Sequence, residues 1–254
     1  MVSLYIAIGL INRLTIYFKK AIFLMAFLFI AKAKGQTPGL GTWSVVSSKY
    51  TFGIHWNVFF ETQLRSQSFY NNFHYHEYKG GVGYNFQKRI SAILAMGHYV
   101  TYQPDGNFKS PQLGNEFRIW EQFVLNNNIN RLKIEHRYRI EQRFTKDGYR
   151  NRFRYRLNAL YPINNVVIKE KTWYLSFNNE IFLNNNGMIF EQNRMYGGIG
   201  YQMNKQFTLQ AGFMNRWDNF GQGKQQSKNF FQTVLLFSLN EFKSGRELHP
   251  SSID

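Results

Sequence analysis

The sequence predicts an all-β fold: an antiparallel transmembrane β-barrel of the outer-membrane type, of about 10–12 strands, preceded by a cleaved signal peptide. Three observations carry that expectation. Charged and apolar residues alternate at period two along two adjoining segments, similar segments of about 10 to 14 residues recur through most of the chain, and the one long apolar run lies near the N-terminus.

The two adjoining segments are the clearest. In 131–144 the odd positions Arg131, Lys133, Glu135, Arg137, Arg139, Glu141 and Arg143 are charged. The even positions read Leu132, Ile134, His136, Tyr138, Ile140, Gln142 and Phe144. After a linker at 145–149, Arg150, Arg152, Arg154 and Arg156 alternate with Asn151, Phe153, Tyr155 and Leu157. A soluble sandwich also alternates, but its charged face meets bulk water and rarely carries so many ionic groups in register. A membrane barrel turns the pattern inside out, with apolar residues against lipid and polar ones lining a closed lumen.

Composition fits that reading. The chain has 254 residues, 18% of them aromatic, and 31 Lys plus Arg against 15 Asp plus Glu, a formal charge of +16. Such a balance suits nucleic acid, an anionic membrane surface or acidic ligands. Because many of the arginines share one strand face instead of forming an exposed block, no nucleic-acid partner is expected. The absence of cysteine excludes disulfides and thiolate metal sites. A mean hydropathy of -0.41 is too low for a bundle of membrane helices, whereas a barrel exposes only alternate residues to lipid.

In chain order, 1–35 reads as the signal peptide: Arg13, Lys19 and Lys20 precede an apolar run at 21–31, and Ala31 and Ala33 supply the small residues of a cleavage site. Residues 36–53 form an N-terminal arm or first strand, 54–240 the barrel, and 241–254 a polar C-terminal tail. Within the barrel, Trp56, Val58, Phe60 and Leu64 oppose Asn57, Glu61, Gln63 and Arg65, and Tyr78, Val82, Tyr84 and Phe86 oppose Glu77, Lys79, Gly81, Gly83 and Asn85. Further strands are expected at 90–103, 115–125, 172–183, 190–203, 207–217 and 229–240, with a turn at 126–130 and a Gly- and Gln-rich loop at 218–228. At 115–125 the alternation is imperfect, since Glu121 shares the side of Phe117, Ile119 and Phe123. Connections near 71, 108, 147, 186 and 222 read as longer and more polar than those near 87, 128, 165 and 204, the rhythm of a barrel with two different rims. Ten strands from 54 to 240 place both barrel ends on one rim; a strand at 43–50 alone would break that parity.

The main constellation is the inward ladder of Arg137, Arg139, Arg143, Arg152, Arg154 and Arg156, sharing the lumen with Glu61, Glu77, Glu135, Glu141 and Glu180. One reading has the two signs pairing to fill a narrow barrel. The other has the arginine excess forming an anion-selective lumen or a pocket for a phosphate- or carboxylate-bearing solute. No catalytic residues and no metal ligands are assigned. His74 and His76 share a face by parity, but no further ligand cluster accompanies them. The runs at 80–83 and 197–200 resemble phosphate loops only superficially, because they fall within strand patterns, where glycine relieves crowding. Trp43, Trp56, Trp173 and Trp217 near strand ends suit interfacial girdles.

The ordered motifs Glu116-Phe-Arg-Ile-Trp-Glu-Gln122, Ile140-Glu-Gln-Arg-Phe144, Arg152-Phe-Arg-Tyr-Arg156, Asn179-Glu-Ile-Phe182 and Phe190-Glu-Gln-Asn-Arg-Met-Tyr196 resemble an uncharacterised bacterial family catalogued as a domain of unknown function, DUF 2490. The resemblance spans roughly residues 40 to 240 and implies an outer-membrane barrel of a Gram-negative bacterium, with no activity and no catalytic residue to carry over. Outer-membrane barrels commonly end on an aromatic residue; here 241–254 extends past the last strand, leaving Phe237 or Phe242 as the terminal signal. The expectation is a monomeric, porin-like barrel in the outer membrane, in contact with its lipids and lipopolysaccharide and inserted by the barrel-assembly machinery. It would have no cofactor and act as a small channel or a barrel that binds a small anionic solute. The alternatives are an outer-membrane enzyme acting on lipid or lipopolysaccharide, and a soluble periplasmic β-protein.

Overall fold

The computed structural model describes residues 39–240 apart from 88, 105, 110 and 186–188. The expected signal peptide and C-terminal tail, Phe242 included, lie outside the described residues. Eleven strands follow one another: β1 (Gly41–Phe52), β2 (Trp56–Ser68), β3 (Asn71–Gln87), β4 (Ile90–Tyr102), β5 (Gln112–Ile129), β6 (Leu132–Thr145), β7 (Gly148–Pro162), β8 (Thr172–Asn184), β9 (Phe190–Gln202), β10 (Phe207–Gly221) and β11 (Lys224–Asn240). No helix occurs among the described residues.

Each strand pairs antiparallel with the next, and β1 closes the barrel by pairing with β11. That last seam is parallel, running from Gly41↔Phe230 to Thr51↔Asn240. The sequence expectation of a wholly antiparallel sheet is corrected here, and the reason is arithmetic: with an odd number of alternating strands the first and last run the same way. The stretch read as an arm or first strand is therefore a full member of the wall, paired along its length with β2 as well, from Thr42↔Ser66 to Phe52↔Trp56. Consequently β1 begins at one rim, here the upper, and β11 ends at the other.

The expected long-short rhythm of connections is not found. The upper rim carries the turns at 69–70, 103–111, 146–147, 185–189 and 222–223, and the lower rim those at 53–55, 88–89, 130–131, 163–171 and 203–206. Each rim thus holds one of the two longest connections. What read as a polar loop at 218–228 is a hairpin, since Gln222 and Gly223 both adopt positive φ (51° and 74°), the conformation of a tight two-residue turn. Likewise β5 runs through the expected turn at 126–130 as far as Ile129 and reverses at Asn130, whose φ is 53°.

Period two sorts the side chains as expected. Every strand exposes a large apolar residue on the outside, from Val46, Phe60, Val82 and Leu94 round to Ile199, Leu209 and Leu239. The inside buries Glu61, Lys79, Arg139, Glu141 and Arg154 at 5% exposure or less. Glu121 faces outward, as its parity implies, and accepts a hydrogen bond from Gln142 Nε2 at 3.0 Å. Trp56 and Trp173 sit exposed near the lower rim. Trp43 departs from the girdle expectation: it points inward, 1% exposed, with its indole Nε1 donating to Gln63 Oε1 at 2.8 Å.

The glycines at 197–200 answer a packing need. A Cβ on Gly200 would collide with the ring of Tyr174, and one on Gly198 with the hydroxyl end of Tyr196. Both tyrosines are fully buried: Tyr174 lies on the bare backbone of the neighbouring strand β9, and Tyr196 on that of its own strand two residues along.

Two outcomes check this architecture. Ser44 and Thr233 face each other across the parallel seam, with their hydroxyl oxygens 3.3 Å apart. Oxidation of a Ser44→Cys/Thr233→Cys variant is expected to yield a disulfide visible as altered migration on a non-reducing gel, whereas Val46→Cys/Thr233→Cys stays reduced. Substituting Gly200→Val is expected to destabilise the fold by about 1–3 kcal/mol in a denaturant titration, because the displaced Tyr174 has no space to enter.

Candidate functional site

The upper half of the lumen holds a cavity of about 460 Å³. It is lined by eight arginines (Arg65, Arg118, Arg143, Arg150, Arg152, Arg154, Arg194 and Arg216) and four carboxylates (Glu77, Glu116, Glu191 and Asp218), with His74, Tyr75 and Tyr99 among the remaining residues.

Register explains how the arginines meet. Arg118, Arg143 and Arg150 are direct cross-strand neighbours on β5, β6 and β7. Arg194, Arg216 and Lys228 form a second such row on β9, β10 and β11. The first row is interleaved with acid: Glu116 accepts from Arg118 Nε at 2.8 Å and from Arg143 Nη2 at 2.6 Å, and Glu191 Oε1 lies 3.3 Å from Arg143 Nη1 and 3.2 Å from Arg152 Nη1. In the second row Arg216 pairs with Asp218 at 2.9 Å. Aromatic faces take several guanidinium planes: Arg65 lies 3.4 Å from the Trp43 ring centroid and Arg118 lies 3.7 Å from that of Tyr99.

Deeper in the barrel the charges close into networks. Glu141 receives Arg152 Nη2 and Arg154 Nη1, each at 2.5 Å. Arg154 Nε also donates to Glu180 at 2.7 Å, and Arg137 donates to the same Glu180 oxygen. Arg156 reaches Glu135 at 3.0 Å. Arg139 donates twice to Gln122 Oε1, at 2.9 and 2.7 Å, with its guanidinium 3.9 Å from the Trp120 ring centroid. On the opposite wall Lys79 Nζ bridges Glu61 and Glu77, 2.7 Å from each. Packed against this ionic layer are Phe59, Ala95 and Trp120, with Trp120 directly across from Glu141, and a second cluster of Leu160, Ile168 and Tyr174. Tyr174 adds a hydrogen bond to Gln210 at 3.1 Å.

The residues singled out from the sequence therefore divide in two. Arg143, Arg152 and Arg154 line the cavity, while Arg137, Arg139, Arg156, Glu135, Glu141 and Glu180 belong to the packed layer beneath it. Sequence reasoning missed Arg118, Arg194, Arg216, Lys228, Glu116, Glu191 and Tyr99. Each stands on a strand with few charges of its own, and only the register of neighbouring strands brings them together. Inward parity was the available signal.

The expectation that His74 and His76 share a face is also corrected. Arg65 pairs with Tyr75 and Ser66 with Phe73, so His74 sits in a β-bulge. The extra residue breaks the alternation: His74 is buried and lines the cavity, while His76 packs against Tyr78, Tyr102 and Phe108.

A family model described as Protein of unknown function (DUF2490) matches residues 40–227, which is most of the chain and nearly all of the barrel. No curated protein and no solved structure matches the chain.

The ionic layer makes a specific prediction. Glu141→Gln leaves Arg152 and Arg154 without their shared counter-charge inside the protein and is expected to cost about 3–5 kcal/mol in guanidinium unfolding followed by tryptophan fluorescence. Glu121→Gln, on the outer face, is not expected to destabilise the barrel. Equal effects of the two would mean that the buried network contributes nothing beyond a surface pair.

Proposed function

The chain belongs to the family described as Protein of unknown function (DUF2490), and from that premise we propose that it is an outer-membrane β-barrel of a Gram-negative bacterium whose upper vestibule binds a small anionic solute. The observation that carries the membrane reading is the inverted distribution of side chains: large apolar residues exposed on all eleven strands, charge buried inside a closed wall. Water would leave that outer face unsatisfied over its whole circumference, and lipid would cover it. A closed sheet also leaves no backbone edge to meet hydrocarbon.

Binding rather than conduction is the role that the lumen favours. The vestibule is roomy and carries twice as many arginines as carboxylates in its lining. Beneath it, fully buried Trp120, Glu141 and Tyr174 occupy the cross-section that an ion would have to traverse. Guanidinium groups presented from several strands suit phosphate or carboxylate ligands bound through paired hydrogen bonds. The reading assigns no bond-making or bond-breaking step to the protein.

Three measurements test it. In a Gram-negative host the protein is expected to sediment with outer membranes and to resist salt and carbonate washing until detergent is added; release without detergent would make it a soluble periplasmic protein. In planar bilayers the folded barrel is expected to give no stable conductance steps, and regular ohmic steps would show an open lumen. Calorimetric titration with pyrophosphate is expected to show binding that weakens as salt is raised.

A further inference from the structure

We propose that the β9–β11 wall of the vestibule is a phosphate subsite, and that the ligand is a sugar or polyol carrying a phosphate group, an inference that rests on the binding role proposed above. The cross-strand row Arg194, Arg216 and Lys228 places three cations on three adjacent strands, the first two lining the cavity and Lys228 directly beside Arg216. Lys228 is 6% exposed, and no carboxylate among the described residues forms an ion pair with it. Asp218, which pairs with Arg216, is also the acceptor of Gln192 Nε2, and Arg194 Nε donates to the neutral Gln192 at 2.8 Å. Glu180 faces Arg194 from β8, and its single charge is shared among Arg194, Arg137 and Arg154.

Like charges directly opposite one another destabilise a sheet unless something neutralises them. The facing row on β5–β7 solves this with Glu116 and Glu191. The β9–β11 row has one carboxylate of its own, Asp218, and a share of Glu180, so an external anion has most to contribute there. Neighbouring strands are roughly 4.8 Å apart, which spreads the three cations over about 10 Å. A tetrahedral dianion with three acceptor oxygens matches that span and charge better than a single carboxylate.

The remaining space calls for more than phosphate alone. A cavity of about 460 Å³ is of the size that holds a small organic ligand. Its lining includes Tyr99, 4% exposed, whose hydroxyl has no hydrogen-bond partner among the described residues. A buried hydroxyl left in that state favours a ligand with hydroxyl groups of its own. Such a ligand can arrive free or carried on acyl chains, and the recognition chemistry is shared.

The test uses the full chain folded in detergent micelles, with heat-modifiable migration on gels as the folding check. Calorimetry with glucose 6-phosphate is expected to show binding, and glucose none. Lys228→Gln and Arg216→Gln are each expected to weaken it about tenfold, Lys228→Arg to retain it, and Lys205→Gln on the lower rim to leave it unchanged. Should Lys228→Gln fail to fold, Gln192→Glu, which adds a carboxylate to the same wall, is expected to weaken binding as well. Binding confined to an acylated glucosamine phosphate added to the micelles, with the same dependence on Lys228, would support a lipid-borne ligand. Wild-type affinity for glucose 6-phosphate in Lys228→Gln and Arg216→Gln would overturn the subsite while leaving an anion-binding vestibule. Failure of the wild-type chain to bind glucose 6-phosphate, pyrophosphate or the acylated form would remove the binding role itself.

Discussion

Across β6 and β7 the register sets arginine directly against arginine three times, Arg137 with Arg156, Arg139 with Arg154 and Arg143 with Arg150. Two guanidinium groups held side by side in a dry interior repel each other, so this pairing survives only because carboxylates lie within reach of both members. Glu141, one residue place along from the Arg139–Arg154 pair on the same face, draws in Arg152 and Arg154, and Glu180 crosses from β8 to hold Arg137 and Arg154. The network ties β6, β7 and β8 together across the lumen with bonds that no single hairpin could make. Register, lumen packing and the shape of the cavity above all depend on it.

Closure adds a second constraint. With eleven strands the first runs the same way as the last, and the parallel seam pairs β1 from Gly41 to Thr51. The neighbouring wall is held by aromatic rings laid on glycine: Tyr174 over Gly200 and Tyr196 over Gly198. Tyr174 packs there with Leu160 and Ile168, and Tyr196 with Trp43, Met214 and Phe230. The vestibule therefore has a floor, and its depth is fixed by bulky side chains from several strands.

The fold was largely legible because period two is a local signal. Val58, Phe60 and Leu64 had to share a face whatever the rest of the chain did, and the arginine ladder had to take one side of its strands. Features set by register or by backbone conformation were not legible. The hairpin at 222–223 depends on a glutamine at positive φ, which its polar surroundings disguise as a loop. His74 changed face through a bulge that pairs Arg65 with Tyr75. Trp43 lies inside because Gln63 and Arg65 on β2 receive it, a partnership between strands that an aromatic residue near a strand end does not announce. Half of the candidate site was missed for the same reason. Arg118 and Arg216 look unremarkable along their own strands and become neighbours of other cations only through long-range pairing.

Depth decides which arginines hold the barrel together and which are available to a ligand. A guanidinium deep in the lumen has lost its water and must be answered by protein carboxylates, or the fold does not form; the side chains of Arg139 and Arg154 are 0% and 3% exposed. At the mouth solvent still screens part of the charge: the side chains of Arg150 and Arg216 are 33% and 29% exposed. Less protein counter-charge is needed where solvent does this screening. Within the lumen, the arginines that keep solvent contact, Arg150 and Arg216, line the cavity above the paired layer. An arginine-lined vestibule at the mouth and a neutralised layer beneath it are two consequences of basic residues that face inward.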